Sequence, residues 1–487
     1  MKYIMNKLLF PLVVVGVVAG TGCKKFRDVN VDPNNAADVS VELLLPAAQA
    51  DIAQVYGGKL QIIGSVWSQY WTQNPNASQY RELDQYQPDA SFASNAWDEP
   101  YSGALKDLDQ IIKKAGTKTN YAAIAKILKG YTYQLITDQF GDAPFTEALK
   151  GDEGITSPKY DSQETIYNGI IALVTEGRDE LNGESAAPGS DDLIYHGDLA
   201  LWQKFANTLL LKIYMRLSER NPSLAQSGIA ALEATEIGFL DEGEGAEIHY
   251  INEAGNFNPL YSEMNNAVIG GIQNLIASKT VIDSMLSNED PRIGVFFTPV
   301  GGNFVALEQG FFNTSSPAAS YATPSPAVGG DADQDASAEA PVKLLTTYES
   351  QFLQAEAVAR GWLTGDAAEL FTKGIIFNMS EYGLGEEDIT TYLDNAYWAQ
   401  FPTSGTTEDQ IRHIITQKWF SMCGNQGIEA WSEWRRTGYP EFFTISRASR
   451  IGNQFPVRLP YPDDESSNNL NFPGQKLVTD KVWWDAN

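Results

Sequence analysis

Cysteine is nearly absent: Cys23 and Cys423 are the only two in 487 residues. A disulfide framework is thereby excluded in practice, and a chain of this length must be held by its own core. Histidine is as scarce. His196, His249 and His413 are scattered without metal-ligand spacing, which argues against a zinc site. Basic residues are outnumbered, 34 Lys and Arg against 62 Asp and Glu, for a formal net charge of −28. That sign argues against nucleic acid and against electrostatic adsorption to anionic lipid. The apolar run near the N-terminus, Leu8 to Val18, has about eleven residues, where a membrane-spanning helix needs roughly twenty. Nucleophile-elbow, phosphate-loop and metal-site motifs are also missing.

What that apolar run does have is the form of an export signal. Lys2 and Lys7 precede it, the small residues Ala19 to Gly22 follow, and Cys23 comes next. Gly20-Thr21-Gly22-Cys23 resembles the lipobox of bacterial lipoproteins, in which the cysteine is acylated and becomes the first mature residue. Gly20 stands where that motif usually has Leu. On this reading residues 1–22 are a lipoprotein signal peptide, and 23–487 form one domain with a lipid anchor at Cys23. A secreted protein with an incidental cysteine is the alternative. Acyl chains contribute about 0.8 kcal/mol per buried methylene, so several together make a stable anchor. Loss of Lys2 and Lys7 takes the net charge from −28 to −30.

The mature chain reads as helix after helix. In "SNAWDEPYSGALKDLDQIIKKAG", Ser94 is the expected N-cap, and Trp97, Tyr101, Leu105, Leu108, Ile111 and Ile112 form one stripe at helical spacing. "NYAAIAKILKGYTYQLITDQFG" repeats the arrangement with Asn120 as cap. Asp161 and Glu164 form a capping-box signal, and the segment after Asp198 is apolar nearly all round, as a buried helix should be. Residues 348–383 read as helix, Gly365-Asp366 turn, helix, with Ala355, Ala357 and Ala359 allowing close approach. This is similar to a tetratricopeptide hairpin. A further pair is expected within 408–442.

Residues 253–345 differ: rich in Gly, Asn, Pro and Ser, they predict loops and short strands, with one helix from Thr280 to Ser287. Phe257, Tyr261, Phe311, Phe312 and Tyr321 make this a candidate binding surface, since disordered segments are poor in aromatics. Asp331, Asp333 and Asp335 alternate as in the start of a calcium loop, but Ala336 and Val342 replace the Gly and Glu that loop needs. A structural calcium is thus set against a solvated acidic loop, and no other cofactor is indicated.

Aromatic residues are plentiful, with 11 Trp, 22 Tyr and 22 Phe. Sugars present apolar faces ringed by hydroxyls, and a site for them needs flat aromatic platforms with amides, carboxylates or guanidinium alongside. Trp67, Tyr70, Trp71, Tyr80 and Trp97, interspersed with Asn74 and Arg81, supply that inventory in 67–97. Trp67, Tyr70 and Trp71 share a helical face, which is equally the pattern of a core. A helical glycan-degrading enzyme is the competing class, needing two carboxylates at a set separation, and Asp84, Asp98 and Glu99 are the candidates.

"FRDVNVDPNN" after Cys23, "DQFGDAPFTEAL" at 138–149, "FLQAEAVARGW" at 352–362, "QKWFSMCGNQGIEAWSEWRRTGYPEF" at 417–442 and "PVRLPYPDDE" near the end occur in a telling order. Together they resemble the SusD/RagB family of nutrient-binding outer-membrane lipoproteins of Bacteroidota, on its SusD-like branch. The resemblance implies a mainly α fold, with four tetratricopeptide-like helix pairs as scaffold and irregular loops as the binding face. It implies an oligosaccharide ligand, or another nutrient such as peptide, and no catalysis. It also implies outward display on the outer membrane, as a lid over a SusC-like TonB-dependent transporter. Lys24 and Lys25 depart from the acidic residues that often follow the cysteine of surface-displayed members. Metabolic labelling with a fatty-acid analogue is expected to mark the wild type and not Cys23→Ala; equal labelling of both would rule out this anchor.

Overall fold

Helices form where the apolar stripes place them, and they stack in pairs. The computed structural model describes residues 39–90, 92–264, 272–314 and 320–487. The signal segment and Cys23 lie outside the described residues. The scaffold begins with α1 (Val41–Val55), a π-helical turn (Tyr56–Leu60) and α2 (Gln61–Trp67). It continues through α3 (Ala104–Lys114), α4 (Thr119–Phe140), α5 (Gln163–Glu180), α6 (Leu199–Arg216) and α7 (Pro222–Glu233). After the loops come α8 (Thr347–Ala359), α9 (Ala367–Glu381), α10 (Thr407–Ser421) and α11 (Gly427–Thr437), with shorter helices between. α4 packs on α5, α6 on α7, α8 on α9 and α10 on α11, which gives the tetratricopeptide-like scaffold.

Local chemistry sets the boundaries. Asp198 accepts from the N–H groups of Ala200 and Leu201 to start α6, and Asp366 does the same for Ala368 and Glu369 at α9. Thr406 and Asp409 form a reciprocal capping box on α10. Three expectations are corrected. The stripe from Ser94 is two helices, Ser94–Ser102 and α3, the chain turning at Gly103 (φ −106°, ψ −99°), and Ser94 lies inside the first of them instead of capping it. Asn120 lies inside α4, its amide donating to Asn182 O and Ser185 O. Ser162, not Asp161, caps α5. Asp161 instead accepts from the N–H groups of Phe145 and Thr146.

α6 runs through the centre, with Trp202, Phe205, Leu209 and Ile213 fully buried. Between α8, α9 and α10 lies a compact apolar cluster of Tyr348, Phe352, Phe371, Ile375, Met379 and Ile414. α2 and α11 touch through backbone: a Cβ on Gly64 would meet Ile428 N at 2.0 Å. Only glycine permits that approach.

Charges, too, are buried at the centre. Arg216 of α6 donates to Asp138 of α4 and to Glu429 and Glu433 of α11. Arg436 binds both oxygens of Glu356 of α8, at 2.8 and 2.6 Å, and also reaches Glu433 at 2.6 Å. Lys212 lies 2.9 Å from Glu429 and 3.4 Å from Glu349, and Lys418 of α10 lies 3.5 Å from Glu433. Burial alone would push Glu429 up, but Arg216, Lys212 and Lys418 outweigh it and hold the carboxyl down at about 2. Glu433 is likewise held well below the usual range, its burial outweighed by Arg436, Lys418 and Arg216.

Removing one partner strands the others. Glu433→Gln is expected to destabilise the fold by about 3–5 kcal/mol, read by denaturant unfolding. Because the folded-state pKa of Glu429 is depressed, its contribution is present above the ordinary glutamate value of about 4.3. It should be lost as pH falls from there toward 2. Stability that stayed flat across that window would contradict the network.

Candidate functional site

Pairs of short antiparallel strands carry the loops of 253–345 onto the scaffold. Trp71–Gln73 pairs with Leu275–Ala277, Trp71 opposite Ala277 and Gln73 opposite Leu275. The pairing brings Asn74 against the following loop, where its N–H donates to Asn274 O and its amide to Gln273 O, both at 2.8 Å. A second pair, Phe297–Thr298 with Thr323–Pro324, sets Thr298 opposite Thr323, and Thr298 and Tyr321 both line one cleft. Gln273 ties in the turn at 330–332: its Oε1 accepts from Ala332 N at 3.0 Å and its Nε2 donates to Gly330 O at 2.9 Å.

Between these segments opens a loop cleft of about 450 Å³, lined by Asn74, Asn76, Gln273, Tyr321, Asp331 and Asp333 among others. Tyr321 is half-buried and lines the cleft together with amides and carboxylates. Burial pushes the Asp331 carboxyl up, while the Asp333 N–H, donating to it at 3.1 Å, favours its charged form. An aromatic face with acceptors and amide donors on several sides suits a neutral polyhydroxylated ligand. The volume lies within the ~300–1,000 Å³ usual for ligand pockets.

Of the residues expected to bind ligand, Asn74 and Tyr321 meet in this cleft. Trp67, Tyr70, Trp71 and Tyr80 do not: all are 2% exposed or less, so the platforms expected in 67–80 are core. Trp67 donates its indole N–H to Leu83 O and packs edge-on against Trp431 at 4.7 Å. Tyr70 donates its hydroxyl to Trp419 O, and Tyr80 packs edge-on against Phe92. Arg81 is half-buried, its guanidinium 5.2 Å from the centre of the Phe312 ring. Phe257 and Tyr261 pair with each other at 5.6 Å, with Tyr261 buried. Phe311 is 40% exposed beneath the Arg447 guanidinium. Trp97 lines a different cleft.

Gln273, Thr298 and the pair Asp331 and Asp333 were not legible as site residues, since strand pairing across some two hundred positions assembles them. The alternating aspartates were the one available signal, and they pointed to calcium. Among the described residues no three His, Cys, Asp or Glu side chains converge for a metal ion. Of the carboxylates considered for glycoside hydrolysis, Asp84 and Asp98 both lie outside the loop cleft. Asp84 is sealed, accepting from Thr72 Oγ1 and Gln73 N at 2.8 Å and Gln309 Nε2 at 2.6 Å. Asp98 lies in the cleft with Trp97.

The paired-helix scaffold thus carries a loop-built cleft of aromatic, amide and carboxylate groups. The chain belongs to the SusD-like family: a SusD-like family model described as "Starch-binding associating with outer membrane" matches residues 33–462. No curated protein matches it. Solved structures do. A chitin-binding protein is 26% identical with a TM-score of 0.79, over 92% of this chain and 100% of that one. A chitin-binding SusD homologue from Flavobacterium johnsoniae is 22% identical with a TM-score of 0.76, over 90% and 99%. A SusD homologue from Bacteroides uniformis is also 22% identical with a TM-score of 0.76, over 91% and 99%. Among the described residues no helix is long and apolar enough to cross a membrane.

The placement of Trp71 decides between platform and core in favour of core. Trp71→Ala should open a cavity and cost about 3–5 kcal/mol of stability. Thermal melts would show a large drop, and an unchanged melting temperature would return Trp71 to the list of exposed platforms.

Proposed function

We propose that this chain is a non-catalytic, glycan-binding lipoprotein that takes up an oligosaccharide in the loop cleft and delivers it to a TonB-dependent outer-membrane transporter of the SusC type. The observation that carries this reading is the half-buried Tyr321 set among Asn74, Asn76, Asp331 and Asp333 in a cleft of about 450 Å³. The family's starch-binding description and the 26% identity to a chitin-binding protein support a sugar over a peptide, and point to a β-linked N-acetylglucosamine oligomer as the first ligand to try. Asn and Asp side chains offer both donors and acceptors to its hydroxyl and acetamido groups. In this reading Cys23 holds the protein to the outer membrane, facing outward.

Tyr321→Ala should then weaken binding of a chito-oligosaccharide by roughly 1–3 kcal/mol, or about ten- to more than a hundredfold, with little change in melting temperature. Calorimetric titration reads the first and thermal melts the second. Unchanged affinity would remove the loop cleft from the reading. Appearance of new reducing ends on incubation would replace a binder with an enzyme.

A further inference from the structure

Away from the loop cleft, a second cleft of about 410 Å³ opens between the helix Lys279–Ser287 and the segment 442–447. Its size is that of an ordinary ligand pocket, and it shares no lining residue with the loop cleft.

The walls combine an aromatic surface with polar groups of both kinds. Phe442 is half-buried there and braced edge-on against Trp419, with 5.2 Å between ring centres. Thr280 and Ser284 line the helix side with their protons already given away. Thr280 Oγ1 donates to Gln69 Oε1 at 2.6 Å and Ser284 Oγ to Thr280 O at 2.7 Å, so both hydroxyls keep lone pairs with which to accept. Lys279 and Arg447 bring donors. Lys279 is paired with Asp283 at 2.5 Å and Arg447 with Glu308, so the formal charges of the lining cancel. A lining without net charge gives an ion no advantage. An aromatic face among hydroxyl acceptors and N–H donors suits a neutral polyhydroxylated ligand.

Gln309 lines the same cleft and is 2% exposed. Its Nε2 donates to Val66 O and Trp71 O, both at 3.1 Å, and to Asp84 Oδ1 at 2.6 Å. Oε1, at the other corner of the amide, has no donor among the described residues. Buried acceptors usually have one. A hydroxyl or acetamido N–H of an occupant is a donor of the required kind.

The two clefts are neighbours on one strand. Trp71 O accepts from Gln309 of the second cleft, and Asn74, three residues on, lines the loop cleft. At the ~3.3 Å rise of a strand residue, about 10 Å of backbone separates them. Asp84 stiffens that stretch, taking Gln309 Nε2 on one oxygen and Thr72 Oγ1 and Gln73 N on the other. One oligosaccharide is long enough to reach both. We infer that the second cleft is a further saccharide site, engaging the same glycan chain as the loop cleft, so that the protein selects long chains over short ones. The inference rests on the glycan-binding reading above. Its physical basis is effective concentration: a chain held in one cleft presents its next rings to the other.

Calorimetric titration of the full chain with N-acetylglucosamine disaccharide and hexasaccharide tests it. Thr444→Arg and Ser284→Arg obstruct the second cleft from its two sides. Thr444 is exposed and Ser284 half-buried, so thermal melts should show both variants folded. The wild type is expected to bind the hexasaccharide about tenfold or more tighter than the disaccharide, and either arginine should remove most of that gain while leaving the disaccharide unchanged. In Tyr321→Ala the hexasaccharide should keep a weak affinity that Thr444→Arg then abolishes. The inference is overturned, and the loop-cleft reading kept, if Tyr321→Ala weakens the hexasaccharide and both arginine variants bind it as the wild type does. If the wild type binds neither saccharide, the glycan-binding reading falls and this inference with it.

Discussion

The buried ion network is the constraint on which the scaffold depends. Arg216, Arg436, Lys212 and Lys418 are taken wholly out of water and survive there only because Asp138, Glu349, Glu356, Glu429 and Glu433 meet them from other helices. Dispersion and apolar burial hold helices together but tolerate sliding. A guanidinium matched to two or three carboxylates does not, because each displacement strands a charge in a low-dielectric interior. The network therefore fixes the register of α4, α6, α8, α10 and α11 more than it adds net stability. Arg435 shows the same economy by another route. It donates to the Asp138 and Val457 carbonyls, and its guanidinium lies 3.7 Å from the centre of the Trp431 ring.

Most of the scaffold was legible because amphipathic helices announce themselves by spacing. The start of a buried helix after Asp198 was readable, as was the helix pair around the Gly365-Asp366 turn. Boundaries failed where tertiary contacts overrode local signals. The turn at Gly103 divides one apparent helix, and Asn120 gives its amide to Asn182 O from inside α4 instead of capping it. The ion network was not legible at all. Glu429, Glu433, Arg435 and Arg436 look like the solvated face of a helix until the partners on α4, α6 and α8 are in place.

The candidate site was half legible. Composition drew attention to the loops of 253–345, and Tyr321 from those loops lines the cleft. The aromatic run at 67–80 misled because core and platform share a pattern, and only burial separates them. Trp67 and Tyr70 donate to Leu83 O and Trp419 O, as core residues do.

The strand pair Trp71–Gln73 with Leu275–Ala277 has a consequence for how the molecule is made. It joins segments about two hundred residues apart, and Gln69 reaches further, donating to Thr444 O. Such a high contact order makes assembly slow, because the entropy of closing large loops comes before any reward from the contacts. The early segment cannot finish folding until the last helices are available to cover it. Until then Trp67, Tyr70 and Trp71 stay uncovered, which exposes the incompletely folded chain to aggregation.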